Sequence, residues 1–280
     1  MTGHLLYAGA CSAFRRRFSR RPESGSNLMA IRKTEAFVIK TVPLRSSSLI
    51  VTLFSREFGK IKGVAKGVRK EREMRGAFFE LFTHADIVFY EKTRSDLHLI
   101  SDAAIIDSFD VLRTRLNTIV YASYFAELTD VLTEIQDPHA EIFELLEVSF
   151  RYLPALPGEK IARLFEIKLL NEVGLLPHLD SCLQCRAAVP ERGFFSVSQG
   201  GILCAACSRG LGDAKPLSPE ALRQLRFYAS SSLEDSLKKP FSAAPEQELM
   251  KILESFLLYR LSGPLKSRQF MNAIRESVTL

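Results

Sequence analysis

The sequence predicts an α+β protein, a small N-terminal β-barrel followed by an all-α domain into which a four-cysteine ribbon is inserted. Three observations lead there. Between Met29 and Ser108 the apolar residues alternate or run in short β-branched and aromatic blocks, with no helix of length among them. After Asp107 they recur at three- and four-residue steps, the period of a helix. That helical pattern is interrupted by Cys182-Leu183-Gln184-Cys185 and Cys204-Ala205-Ala206-Cys207.

Five strands account for the first block. Ala36-Phe37-Val38-Ile39 is the first, closed by Pro43, and Leu49 to Phe54 is the second. Glu57-Phe58-Gly59 supplies the turn, with Gly59 free to take positive φ. Lys60 to Val68 returns as a third, Ala85 to Tyr90 is a fourth, and Leu97–Ile100 with Ala103–Ile106 makes the fifth. Five short strands over residues 29–108 fit an OB-fold barrel.

The third strand and its exit carry the functional signal. Lys60, Lys62, Lys66, Arg69, Lys70, Arg72 and Arg75 fall within sixteen residues, opposed only by Glu71 and Glu73. Lys60 and Lys62 share a strand face opposite Ile61, so the charge is expected to point outward. Past Val68 the run continues as a loop. Phosphates need mobile cations more than fixed geometry, and a barrel edge with a basic loop is how OB-folds hold single strands. Gly63 and Gly67 would let a backbone approach, and Phe78, Phe79 and Tyr90 are the aromatics available for stacking. The plainer alternative is a solvated loop over a packed core.

Two Cys-x-x-Cys knuckles are four thiolates arranged for one tetrahedral ion, and Zn²⁺ is the ion that four sulfurs favour. Between them, Phe194 to Leu203 reads as a hairpin around Gly200-Gly201, carrying Cys204 and Cys207 back against Cys182 and Cys185 as in a zinc ribbon, with the insertion at 180–212. Four sulfur ligands leave no open position, so the expected zinc is structural.

The helical domain, residues 109–280, is expected to hold six helices. They run from Leu112 to Ile135, from Ile142 to Leu153 before Pro154, and from Glu159 to Glu172 with Gly174 as C-cap. A Gly210–Lys215 linker follows the ribbon, and Ser218-Pro219 opens a fourth helix as N-cap and first turn. Glu246–Leu261 and Lys266–Ile274 complete the set. Lys266 and Arg268 form a second basic spot. Arg151, Arg163 and Lys168, on otherwise acidic helices, are cations that could line an apolar groove for an acidic peptide.

Net charge is +6 in 280 residues, unevenly placed. Residues 29–108 carry 14 Lys/Arg against 10 Asp/Glu, 109–181 carry 6 against 12, and 182–280 carry 13 against 9. Basic ends flank an acidic centre, which suits a polyanion partner. Cysteines paired as metal ligands fit a reducing compartment, and no apolar run approaches the roughly 20 residues of a membrane helix. Residues 1–28, rich in Arg and Ser, are expected to be a disordered extension, with Met29 as the natural start. The histidines at 4, 84, 98, 139 and 178 read as surface or edge residues.

Lys66-Gly67-Val68-Arg69-Lys70, followed by an aromatic-rich stretch, resembles the N-terminal barrel of the bacterial RecO recombination mediators. Gly263-Pro264-Leu265-Lys266-Ser267-Arg268 resembles that family's C-terminal signature, and the four-cysteine segment sits between them where the family carries a zinc knuckle. The Leu-Gln-Pro-Phe that often continues the barrel motif is replaced by Glu80-Leu81-Phe82. The resemblance implies a cytoplasmic, nucleoid-associated bacterial protein without catalysis. It implies binding of single-stranded DNA, strand annealing, and help in loading recombinase onto DNA coated by single-strand binding protein during gap repair. It also implies RecR and the acidic tail of single-strand binding protein as partners.

Three other functions compete with this reading. His139-Ala140-Glu141 with Cys182 and Cys185 matches part of the zinc-deaminase pattern. Ser181 stands where that pattern needs Pro, and Cys204 and Cys207 would have no role. A zinc-ribbon factor of transcription or replication would read duplex sequence, and a scaffold protein would bind no polynucleotide. No P-loop, Gly-x-Gly-x-x-Gly or Ser-His-Asp pattern is present.

Overall fold

The computed structural model describes residues 30–44, 47–68, 76–92, 95–189, 192–261 and 263–278, with side chains through 274. The extension 1–28 lies outside the described residues. Five strands close into a barrel: β1 (Ala30–Leu44), β2 (Ser48–Ser55), β3 (Gly59–Ala65), β4 (His84–Glu91) and β5 (Leu97–Asp107), in the order β1-β2-β3-β5-β4. All pairs are antiparallel except β3 with β5. This is the five-stranded OB arrangement. β1 runs through Pro43 instead of ending there. Beyond Phe37 it is laddered with β2 on one side only, an edge position where proline's missing donor is tolerated.

Strand alternation divides β1 between two cores. Ala36 and Val38 point into the barrel with Val51, Leu53, Ile61, Ile87 and Phe89. Phe37 and Ile39 point out of it, into the core of the helical domain with Phe54 and Phe82. The Phe37 ring lies 4.8 Å from that of Phe143 and 5.6 Å from that of Phe150. The barrel is therefore packed against the helices through apolar side chains on its outer wall.

The helical domain contains α1 (Leu116–Leu132), α2 (Ala140–Tyr152), α3 (Gly158–Glu172), α4 (Pro219–Ser230), α5 (Leu233–Lys238), α6 (Ala243–Arg260) and α7 (Lys266–Val278). Ser218 caps α4 as expected, its hydroxyl accepting from the Ala221 N–H at 3.1 Å. The ribbon is a three-stranded sheet in the order β7-β6-β8, from β6 (Gly193–Ser196), β7 (Gly201–Leu203) and β8 (Ala214–Leu217). Two elements differ from expectation. β8 lies where a linker was expected, its Lys215-Pro216 accommodated because β8 is the sheet edge. The six-residue α5, capped by Ser232 accepting from the Asp235 N–H, is too short to show a period.

Two histidines are not surface residues. His84 is buried and stacks on Phe37 with ring centroids 4.6 Å apart. His98 is buried against Phe89 and accepts the Lys92 N–H through Nδ1. Burial lowers the pKa of both.

Candidate nucleic-acid interface and metal centre

The basic stretch does not act as one surface. Lys60 is buried, a correction to its expected outward face. Its Nζ donates to the Asp130 and Thr133 carbonyls at 2.5 and 2.6 Å and lies 3.6 Å from the Asp130 carboxylate. The Lys60 carbonyl accepts from the Gln136 N–H at 2.9 Å. Desolvation lowers the Lys60 pKa against the pull of Asp130. Beside it Gly59 takes φ +61, and a Cβ there would meet the Asp137 carbonyl oxygen at 2.0 Å. Strand alternation places Lys60 and Lys62 on one face. It does not reveal that the end of α1 covers one of them and not the other.

Lys62 is half-exposed and Lys66 exposed, where β3 leaves the barrel. Arg69, Lys70, Arg72 and Arg75 lie outside the described residues. Gly63 is needed for packing, not for ligand approach, since a Cβ there would overlap the Ile100 side chain at 2.4 Å. Of the aromatics, Phe79 is core, while Phe78 and Tyr90 are half-exposed. Phe78 and Lys66 share a small recess with Ser101 and Asp102 at the root of the basic loop.

The second basic spot separates in the same way. Lys266 is exposed. Arg268 is buried and structural, a further correction: it donates to Glu254 at 2.8 Å and lies 5.7 Å over the Tyr124 ring. Glu127 on α1 caps α7, accepting the Lys266 and Ser267 N–H groups at 3.0 and 2.7 Å. Nor do Arg151, Arg163 and Lys168 line a common groove. Arg151 pairs with Glu147 on its own helix. Arg163 is buried against Glu166, which also accepts from the Tyr124 hydroxyl. Lys168 donates to the Ser231 carbonyl. Glu147 and Glu166 stand at helical spacing from their arginines, whereas Ser231, Tyr124 and Glu254 stand far from their partners in the chain, where spacing carries no trace of them.

The four cysteines do converge. Their sulfurs all lie within 4.8 Å of one another, with Cys185 and Cys204 at 3.8 Å, and none is in a disulfide. A tetrahedron with Zn–S bonds of about 2.3 Å has edges of about 3.8 Å, so the donor set fits such an ion. The hairpin is held by the Ile202 N–H donating to the His178 carbonyl and the Leu183 N–H donating to the Ile202 carbonyl, each at 2.9 Å. Burial opposes ionisation of Cys182, but the backbone N–H groups of Cys185, Cys204 and Gln184 outweigh it and bring the thiol down to about 6. The hydrogen bond with Cys204, burial and the other neighbouring thiols push Cys207 up to about 12. Four thiolates so close require a cation to ionise together. His139 instead meets Asp137 at 3.0 Å, and the cluster holds no histidine among the described residues.

The family models for "Recombination protein O N terminal" and "Recombination protein O C terminal" match residues 29–109 and 113–269. The chain belongs to the recombination protein O family. The DNA repair protein RecO of Syntrophus aciditrophicus is 32% identical over 255 residues, covering 89% of this chain and 98% of the relative. That of Anaeromyxobacter dehalogenans is 33% identical, covering 86% and 96%, and that of Halalkalibacterium halodurans 30%, covering 86% and 94%. The boundary between the two RecO models falls between β5 and α1, where the barrel ends in the structure. No helix among the described residues is long and apolar enough to cross a membrane.

Proposed function

We propose that this chain is a recombination-repair mediator that binds single-stranded DNA without reading its bases, promotes annealing of complementary strands, and helps load recombinase onto DNA coated by single-strand binding protein. The observation that carries this reading is the exposed Lys66 at the barrel exit, leading directly into Arg69, Lys70, Arg72 and Arg75. Half-exposed Phe78 shares a recess with Lys66 and offers a stacking face, and half-exposed Lys62, earlier along β3, offers a further phosphate contact. Family membership supports the same role.

No ATP chemistry enters. Neutralising phosphates lowers the repulsion between two strands, and holding both raises their local concentration. The cysteine centre would hold one Zn²⁺ through Cys182, Cys185, Cys204 and Cys207, supplying folding free energy to the ribbon. For partners, the family suggests RecR and the acidic tail of single-strand binding protein. An apolar groove of about 400 Å³ between β1, α1 and α7 suits such a tail, with exposed Val131 and Phe270 and the Lys266 ammonium at its rim. The groove's carboxylates, Glu127 and Asp130, are already bonded to backbone N–H groups and to lysines.

The test is salt-dependent binding to random single-stranded oligonucleotides compared with one fixed duplex, followed by an annealing assay with and without single-strand binding protein. Binding indifferent to salt, or confined to a particular duplex, overturns the proposal.

A further inference from the structure

Six exposed cations among the described residues are engaged by carboxylates: Arg32 by Glu91, Lys33 by Asp86, Lys40 by Asp130, Arg151 by Glu147, Arg223 by Glu220 and Lys238 by Glu234. Others are not, and the ribbon gathers three of these. Arg186, Arg192 and Arg209 are all exposed, and none has a carboxylate within ion-pair distance among the described residues. Asp213, half-exposed, is spent on the Ser196 hydroxyl and the Ser198 N–H, at 3.0 and 2.7 Å. Asp180 is the remaining described carboxylate of the ribbon.

Topology gathers these arginines at one end. Arg186 directly follows Cys185, whose sulfur is 3.8 Å from that of Cys204, and its φ of +60 turns the chain out of the knuckle. Arg192 immediately precedes β6, and the Phe194–Leu203 register sets the start of β6 beside the end of β7, next to Cys204. Arg209 stands two residues past Cys207, in a turn closed by the Ser208 N–H donating to the Cys204 carbonyl at 3.0 Å. Each is thus tied by one or two residues to the metal end of the ribbon. Guanidinium groups without carboxylate partners, gathered at one end of the ribbon, fit phosphate oxygens bidentately.

We infer that the metal end of the ribbon is a second phosphate contact, holding the backbone of a second DNA strand while the barrel rim holds the first. The inference rests on the single-strand reading above and gives annealing two separate sites. It also gives the metal a consequence beyond folding, since the knuckles set where Arg186 and Arg209 stand.

The experiment compares the full zinc-loaded protein with a variant carrying Arg186→Asn, Arg192→Ala and Arg209→Ala, Asn being chosen because it tolerates the left-handed backbone. Zinc content, affinity for one labelled oligonucleotide and the rate of annealing two complementary labelled oligonucleotides are measured. The expected result is unchanged zinc, single-strand affinity within about threefold, and annealing slowed about tenfold, with a salt slope for second-strand capture smaller by about 2. Lysine at all three positions is expected to restore part of the rate, since it returns the charge without the bidentate fork.

Unchanged annealing in the triple variant, with single strands still bound, overturns this inference alone. Loss of zinc with annealing otherwise intact overturns it too, assigning the arginines as counter-charges of the tetrathiolate. If the arginines are needed to bind polyglutamate and not a second oligonucleotide, they serve an acidic protein and the inference fails. Absence of any oligonucleotide binding by the parent protein removes the single-strand reading and this inference together.

Discussion

Lys60 Nζ donates to the carbonyl oxygen of Thr133 at 2.6 Å, and so a barrel lysine closes the C-terminal end of α1. The last turn of a helix presents unpaired carbonyls with partial negative charge, and an ammonium is a fitting partner for them. A residue that reads as a DNA contact is a clasp between two domains.

Lys60→Met is therefore expected to lower stability by about 2–3 kcal/mol, because it leaves buried carbonyls and Asp130 without their donor. Affinity for single-stranded DNA is expected to stay the same. Chemical denaturation and oligonucleotide titration on one preparation separate the effects, and a stable protein with weakened DNA binding would return Lys60 to the interface.

Replacing Lys66, Arg69 and Lys70 together with Ala is expected to weaken oligonucleotide binding and flatten the salt slope by about 2 units, at roughly 0.7 per phosphate contact on a single strand. Titrations at several salt concentrations read the slope directly. An unaltered slope would place the interface elsewhere.

The parent is expected to carry one equivalent of zinc by elemental analysis, and Cys204→Ser to carry none. Phe195, Ile202 and Leu203 belong to the main helical core, so the melting temperature should drop by several degrees as well. The barrel keeps its own interior, and amide protection in β1 to β5 is expected to outlast that of the ribbon. Equal loss of protection in both would show that the metal's reach is global.

Glu246 is buried, bonded to the Tyr228 hydroxyl at 2.6 Å and to Gln224, and burial pushes its carboxyl up to about 7. A carboxyl whose folded pKa exceeds its unfolded one binds more protons in the native state. Its contribution to stability is therefore greatest below the unfolded value and is lost as pH rises to about 7. Glu246→Gln should remove that slope, so the variant gains on the parent by about 1–3 kcal/mol between pH 5 and pH 8. Denaturation midpoints at the two pH values check it.

Phe270→Asp and Lys266→Glu, on the rim of the β1–α1–α7 groove, are each expected to weaken an acidic peptide ending in apolar residues by about tenfold in fluorescence polarisation. Glu159 and Lys251, which border a separate cavity of about 460 Å³ against α3 and α6, serve as controls. Sensitivity at the controls alone would move the peptide there.

By itself the sequence determined what depends on short spacings: the strand alternation of the barrel, the helical periods beyond Asp107, the Ser218-Pro219 helix start and the four-cysteine centre. Local stereochemistry sets each of these, and residues within a few positions report it. The tertiary structure decided which cations are free. Lys60 and Lys62 are indistinguishable along β3, as are Lys266 and Arg268 along α7, yet one of each pair is consumed. The partners of Lys60, Asp130 and Thr133, stand 70 and 73 residues away. Burying a charge costs so much without a partner that its role is set by whatever long-range packing brings beside it.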